Sequence, residues 1–270
     1  MSFIPRVSRC YLLIGLIISS LLMSACTAPS VWLSRQQLSP SDIITLVNDS
    51  SRSSADKMND LTRKPVEFLN FVGISSGMVI LDLSAGGGYT TELLARAVGV
   101  QGKVYGQSPP RPPGSPVLPM GRLTSAQSLE ERSLRSNLKN IYPVIRAFND
   151  PVPNELQGGK VDLVTLVFNY HDLVHQGIDR DKLNKAVFEA LKPGGIYIIS
   201  DHSAKSGVGI SEVKTTHRIE ESFLRNEIVN SGFKYVGRGS FLENKDDPRD
   251  KNQPDPPQLK DGFILKFIKP

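Results

Sequence analysis

From Val79 to the end of the chain, short runs of Val, Ile and Leu alternate with longer stretches of helical spacing. That alternation is the pattern of repeated strand–helix units in a parallel sheet covered on both faces. Val79–Leu83 reads as the first strand; the helix after it begins near Tyr89 and carries Leu93, Leu94, Ala97 and Val98 on one side. The second strand is 103–106, with its helix at 125–137. The third, 141–148, contains Pro143, which a sheet accepts only at an edge or an irregularity. The fourth is 161–168, followed by a helix over 180–191. Lys192-Pro193-Gly194-Gly195 then makes a turn into the fifth strand, 196–200. A helix with Ile219, Phe223, Ile228 and Val229 follows, then a strand over 234–242, a polar stretch over 244–262, and a last strand over 263–268. No internal repeat is visible.

The amino-terminal pattern is different. Arg6 and Arg9, with no acid near them, precede an apolar run over 11–23 and the small residues Ser24 and Ala25. Basic, apolar and small in that order is a secretory signal, and the run falls short of the ~20 residues of a spanning helix. Met23-Ser24-Ala25-Cys26 resembles the bacterial lipobox, in which the cysteine becomes the lipidated first residue. Cys10 leaves with the signal, so Cys26 is the remaining thiol and the mature chain has no internal disulfide. Lipidation consumes a thiol that an oxidising compartment would otherwise attack. The expected organisation is a lipoprotein signal over 1–25, a tether and short helix over 26–54, and a single domain over 55–270. The chain is then exported to the periplasmic face and anchored to the membrane through Cys26. Thr27 offers no acidic retention signal, which by analogy favours the outer membrane where there are two. Simple secretion, leaving a soluble periplasmic protein, is the alternative.

Charge changes little. The chain carries a formal +5, with 32 Lys and Arg against 27 Asp and Glu, and two of the basic residues are Arg6 and Arg9. The rest are scattered with no aromatic-interleaved stripe, so no nucleic-acid partner is expected.

Asp82-Leu83-Ser84-Ala85-Gly86-Gly87-Gly88 sits where the first strand bends into its helix, so backbone can approach a ligand and helix N–H groups face the crevice. With the Lys-Pro-Gly-Gly turn before the fifth strand, this bend resembles the first motif of class I S-adenosylmethionine-dependent methyltransferases. From about Arg52 onward the chain resembles a bacterial group of predicted secreted methyltransferases. The resemblance rests on Arg63-Lys64-Pro65, Gly77-Met78-Val79, Gly102-Lys103-Val104-Tyr105, Tyr170-His171-Asp172, Asp201-His202 and His217-Arg218-Ile219. It implies a Rossmann-like, doubly wound α/β fold. The sheet would have seven strands, mostly parallel, with an antiparallel last strand, in three αβα layers. It also implies S-adenosyl-L-methionine as cofactor. Asp82, Ser84, Ala85, Gly86, Gly87 and Gly88 would hold its amino-acid end, Gln107 and Ser108 the ribose, and Asn149 or Asp150 the adenine. A dinucleotide site is the nearest rival, and it loses ground because Thr91 stands where the third glycine of that fingerprint belongs. Two positions depart from the methyltransferase pattern. Ser84 replaces a glycine, and Gln107-Ser108 stands where a ribose-binding carboxylate is usual, giving neutral hydrogen bonds roughly half as strong. The segment 109–119 is Pro-rich and reads equally as a wall over the site or as a surface insertion.

In an open α/β sheet ligands bind beyond the carboxyl ends of the strands. His171 and Asp172 follow strand four, Asp201 and His202 follow strand five, and His217 and Arg218 open the next helix, so three of the 4 histidines converge on one edge. Methyl transfer needs alignment and, for oxygen or nitrogen acceptors, removal of a proton. His171 or His202 is the candidate base, oriented by Asp172 or Asp201, with His217 beside them. Only His171 and His175 have a tight ligand spacing, and no metal site is assigned. Arg52, Asp56, Asp60 and Arg63 recur at helical spacing and read as charge pairs on a solvated face in preference to a lid. The expected function is methylation of a small-molecule or envelope acceptor. A lipid-anchored binding protein that keeps the fold without catalysis is the alternative.

Overall fold

The computed structural model describes residues 1–3 and 36–270. The lipobox and nearly all of the signal and early tether fall within 4–35, outside the described residues. Three helices, α1 (Pro40–Val47), α2 (Ser54–Arg63) and α3 (Pro65–Val72), precede β1 (Val79–Leu83). There follow α4 (Tyr89–Val98), β2 (Lys103–Ser108), α5 (Ser125–Ser136), β3 (Ile141–Ile145), β4 (Val161–Val167), α6 (Tyr170–His175) and α7 (Arg180–Ala190). The chain ends with β5 (Leu191–His202), α8 (Val213–Thr216), α9 (Glu221–Asn230), β6 (Lys234–Gly239) and β7 (Gly262–Ile268).

The seven strands form one sheet in the order β3-β2-β1-β4-β5-β7-β6. Strand β1 pairs in parallel with β2 and β4, and β7 runs antiparallel to β5 and β6. The central strands β1, β4 and β7 read as nearly unbroken apolar runs because helices cover both faces. Ile80, Val104, Leu163, Ile198 and Ile264 pack with Ile43, Leu69, Leu93 and Leu129 from α1, α3, α4 and α5. Leu81, Val164, Ile199, Phe263 and Leu265 pack on the other face with Leu183, Val187, Leu224 and Ile228 from α7 and α9. The architecture is the expected three-layer αβα, with the order reversing between β1 and β4. That reversal opens a crevice at the strand ends.

Several boundaries differ from the sequence reading. Helix α1 belongs to the folded body and is no part of a tether: Ile43 is 1% exposed and Val47 6%. Its start is fixed by Pro40 in the first turn and by a capping box of Ser39 and Asp42. Among the described residues, the folded body therefore includes the Gln37–Ser75 bridge, ahead of residue 55. Strand β2 runs on to Ser108, whereas β3 stops at Ile145; β3 is an edge strand, where Pro143 leaves no ladder bond unmade. Lys192–Gly195 is a looped irregularity inside β5, between the pairs Val161–Leu191 and Leu163–Ile196. Helix α9 starts at Glu221, so His217 and Arg218 do not open it. His217 instead caps the end of α8, in a left-handed conformation with φ 51°.

Candidate active site

The bend after β1 is held open by backbone geometry. Ser84 and Gly86 adopt φ 56° and 54°, and Gly88, at φ 82°, starts α4. Only glycine fits at 88, because a Cβ there would lie 2.4 Å from Leu129 Cδ1 as well as in the left-handed region. Gly87 faces open space, since a Cβ there would meet nothing within 4 Å. The bend lines a cavity of about 380 Å³ with Asn59, Arg63, Tyr89, Arg132, Phe168 and Asn169 among its other walls.

Asp82 does not face this cavity. It is 1% exposed, and its two oxygens accept hydroxyl bonds from Thr91 (2.6 Å) and Thr165 (2.7 Å). Burial pushes its carboxyl up to about 6, against the pull of both hydroxyls. It braces the strand-to-helix corner. Gln107 is also turned inward and fully buried. Its Oε1 accepts from Ser84 N (3.1 Å) and its Nε2 donates to Arg146 O (2.6 Å), so it ties β2 to the bend. Ser108, Asn149 and Asp150 lie outside the cavity wall. Ser108 is buried, and the Asp150 carboxylate is engaged at the surface by Arg146. Of the expected cofactor residues, Ser84, Ala85, Gly86, Gly87 and Gly88 line the cavity, and Asp82, Gln107, Ser108, Asn149 and Asp150 do not.

The charged positions in and just before α2 are not on a solvated face, although most of the helix is exposed. Arg52 and Asp56 are each 4% exposed. Arg52 grips Asp60 through two bonds (2.7 and 2.8 Å), and Tyr89 donates its hydroxyl to the same carboxylate (2.6 Å). Arg132 of α5 reaches Asp56 (2.6 Å) and Glu92 (2.7 Å) and also donates to Gly87 O. These buried pairs seat α2 over the bend and leave Arg63 pointing across it. The Arg63 guanidinium lies 4.6 Å from the centre of the Phe168 ring, and among the described residues it pairs with no carboxylate. Phe168, at φ 55°, is a bulky residue in a left-handed conformation, a strain typical of functional strand ends.

The other face of Phe168 stacks on His202 at 4.8 Å. Arg63, Phe168 and His202 thus form a partition between the bend cavity and a second cavity of about 750 Å³, whose far wall comes from the 241–262 segment, including Phe241, Leu242 and Lys260. That segment is pinned by the fully buried Arg218, which pairs with Asp247 at 2.7 Å. Burial, followed by the charge of Lys260, pushes the His202 imidazole down to about 2. Held neutral in this way, it is the weaker of the two candidate bases.

All 4 histidines gather here. Ring centres run from His202 to His171 at 5.9 Å, His171 to His217 at 5.7 Å and His217 to His175 at 5.7 Å. Asp201, fully buried at the end of β5, holds His171 Nδ1 at 2.6 Å and accepts the backbone N–H of His171 (2.8 Å) and of His202 (2.8 Å). Burial opposes charge on His171, but the bond to Asp201 and the charges of Asp201 and Asp172 outweigh it and raise its pKa. Asp172 Oδ1 sits between His171 Nε2 (3.4 Å) and His217 Nδ1 (3.3 Å). Its Oδ2 accepts from Asn169 Nδ2 (3.0 Å), and Asn169 Oδ1 accepts from Ser84 Oγ (2.8 Å). The sequence-predicted residues His171, Asp172, Asp201 and His217 therefore form one linked group. Sequence reading passed over Phe168, Asn169, Tyr89 and Arg132. Asn169, one residue before Tyr170-His171-Asp172, was within reach of motif reading; Arg132, on a polar helix, gave no signal.

No family model matches the chain. Among curated proteins it is similar to the ubiquinone/menaquinone biosynthesis C-methyltransferase UbiE of Idiomarina loihiensis. The two are 25% identical over 178 residues, which is 64% of this chain and 64% of that protein. The UbiE of Escherichia coli is 27% identical over 168 residues, 60% of each. The chain thus spans less than two thirds of the length of these relatives. A solved S-adenosylmethionine-dependent methyltransferase of Aquifex aeolicus superposes with TM-score 0.56 at 19% identity, covering 87% of this chain and 100% of the other. The geranyl diphosphate C-methyltransferase of Streptomyces coelicolor A3(2), solved with Mg2+, geranyl-S-thiolodiphosphate and S-adenosyl-L-homocysteine, gives 0.57 at 12% identity over 84% of both chains. Strand order, the antiparallel β7 and these superpositions together establish that the chain has the Rossmann-like fold of class I methyltransferases.

Proposed function

We propose that this chain is an S-adenosylmethionine-dependent methyltransferase acting on a small-molecule acceptor. The observation that carries the reading is the open bend. Gly86 and Gly87 present bare backbone to a cavity at the strand-order reversal, and Arg63, which among the described residues has no carboxylate partner, stands over it. The relatives' names favour the same chemistry. Bound there, S-adenosylmethionine supplies a methyl group activated on a sulfonium sulfur.

The chain's own residues do the rest. The bend admits the ligand without side-chain obstruction, and Arg63 offers a counter-charge to a carboxylate. The Phe168 ring, fixed between Arg63 and His202, divides the two cavities and would align an acceptor held in the larger one. The walls of that cavity mix Phe241 and Leu242 with Lys64 and Lys260, which suits an apolar acceptor bearing an acidic or polar group. With His202 so weak a base, alignment and exclusion of water dominate over proton removal at that residue.

Calorimetric titration of the full chain with S-adenosylmethionine and S-adenosylhomocysteine tests the reading. One-site binding abolished by filling the bend with Gly87→Ala is expected, and absence of heat with either ligand would overturn it. The inward-turned Gln107, which leaves no carboxylate for a ribose, favours a second reading: a binding protein that retains the fold without turnover. Binding without product formation across a panel of acceptors would select it. Export and lipid anchoring at Cys26 are proposed from the signal-like pattern alone. Mass spectrometry of the mature amino terminus should find an acylated cysteine, and an unmodified thiol there would rule the anchor out.

A further inference from the structure

The group His171, Asp172 and His217 is arranged for more than hydrogen bonding. Asp172 Oδ1 lies 3.4 Å from His171 Nε2 and 3.3 Å from His217 Nδ1. Both distances are long for a charge-assisted bond, which closes to about 2.7–2.9 Å. They match something else. Around an ion with ligand bonds of about 2.0–2.1 Å, tetrahedral geometry separates neighbouring donor atoms by about 3.3–3.4 Å. Two of the three donor-to-donor edges already have that length, and all three donor atoms lie within 4.8 Å of one another.

The surroundings complete the arrangement. Asp201 holds His171 Nδ1 at 2.6 Å, which places the ring proton on Nδ1 and turns the Nε2 lone pair towards Asp172 and His217. A carboxylate behind a ligating imidazole in this way is the common supporting shell of a zinc site. Asn169 donates to Asp172 Oδ2 and so frees Oδ1 to face the two rings. His217 is delivered at the left-handed C-cap of α8, a backbone conformation that histidine accepts more readily than most residues. His171 is buried, whereas the Asp172 and His217 side chains are 30% and 36% exposed, so an ion could enter from solvent and keep a fourth position for water.

We infer that His171 Nε2, Asp172 Oδ1 and His217 Nδ1 bind a divalent transition-metal ion of the zinc class, with Asp201 and Asn169 as supporting residues. Two imidazoles and one carboxylate select zinc, cobalt or iron over magnesium or calcium, which prefer oxygen donors. The site stands beside the proposed transfer site and does not depend on it.

The experiment strips the full chain with chelator and titrates it with Zn2+, and separately with Co2+ to read the ligand-field absorption. One equivalent should bind, with a cobalt spectrum of nitrogen and oxygen ligation. Asp201→Asn, which leaves the three donors in place, should weaken zinc about 10–100-fold. His217→Ala and Asp172→Asn alter partly exposed side chains, and circular dichroism would verify their fold; each should abolish stoichiometric binding, whereas His175→Ala should leave it intact. Failure to bind either ion, or zinc binding that survives His217→Ala and Asp172→Asn together, would overturn the assignment. Neither outcome bears on cofactor binding, which the calorimetric titration reads separately.

Discussion

The Ser84 hydroxyl donates to Asn169 Oδ1 at 2.8 Å, joining the bend after β1 to the segment after β4 across the point where strand order reverses. Through Asn169 and Asp172 the same chain of bonds reaches His171 and His217. Ser84 is thus more than a tolerated replacement for glycine, because its side chain connects the floor of one site to the edge of the next. Ser84→Ala should lower cofactor affinity about 3–10-fold by removing a bond worth about 0.5–1.5 kcal/mol. Ser84→Gly removes the same bond but relieves φ 56°, so it should melt higher than Ser84→Ala. Paired calorimetry and thermal unfolding of the two variants check this.

Adjacent glycines should behave oppositely. Gly88→Ala forces a Cβ to 2.4 Å from Leu129 Cδ1 at positive φ, and should destabilise the fold by about 1–3 kcal/mol. Gly87→Ala projects into open space and should leave the melting temperature unchanged while weakening cofactor binding at least about tenfold. Equal melting temperatures for the two variants would contradict the geometry.

Asp82 makes stability fall with rising pH. Its folded pKa of about 6 exceeds the ordinary 3.8, so the folded state holds the proton more tightly than the unfolded chain. The stabilisation is complete below 3.8 and is lost as pH rises through about 6, an effect on the order of 3 kcal/mol. Urea midpoints at pH 4.5 and 7 should therefore differ between wild type and Asp82→Asn, with the wild type losing more on going to pH 7.

Arg132 should be a stability residue as much as a site residue. Its removal takes the paired cation from the buried Asp56 carboxylate, whose side chain is 5% exposed, while Glu92 keeps Arg96 at 2.8 Å. Arg132→Ala should destabilise by about 3–5 kcal/mol. Adding Asp56→Asn should restore part of the loss, as read by thermal unfolding.

The central strands β1, β4 and β7 were legible because burial on both faces leaves a signal that short apolar runs and turn residues display directly. Side-chain direction was not. Asp82 and Gln107 occupy positions that sequence pattern assigns to a ligand, yet neighbouring hydroxyl and backbone groups draw both inward. Helix α2 misled for the opposite reason. Charges at helical spacing suggest a wet surface, and nothing local announces that Arg132, from a distant helix, will neutralise one of them under cover. His171 and His175 share the tight spacing, but the ring that joins His171 and Asp172 is His217, brought in from beyond β5.

Arg218 and Asp247 lock down a segment that makes one wall of the larger cavity and touches none of the glycine bend. Under the proposed function, selectivity for the acceptor and capacity to hold the donor would therefore be written in different stretches of chain. Grafting a new 244–262 loop onto the same anchor would redirect the protein to another compound while sparing its donor site.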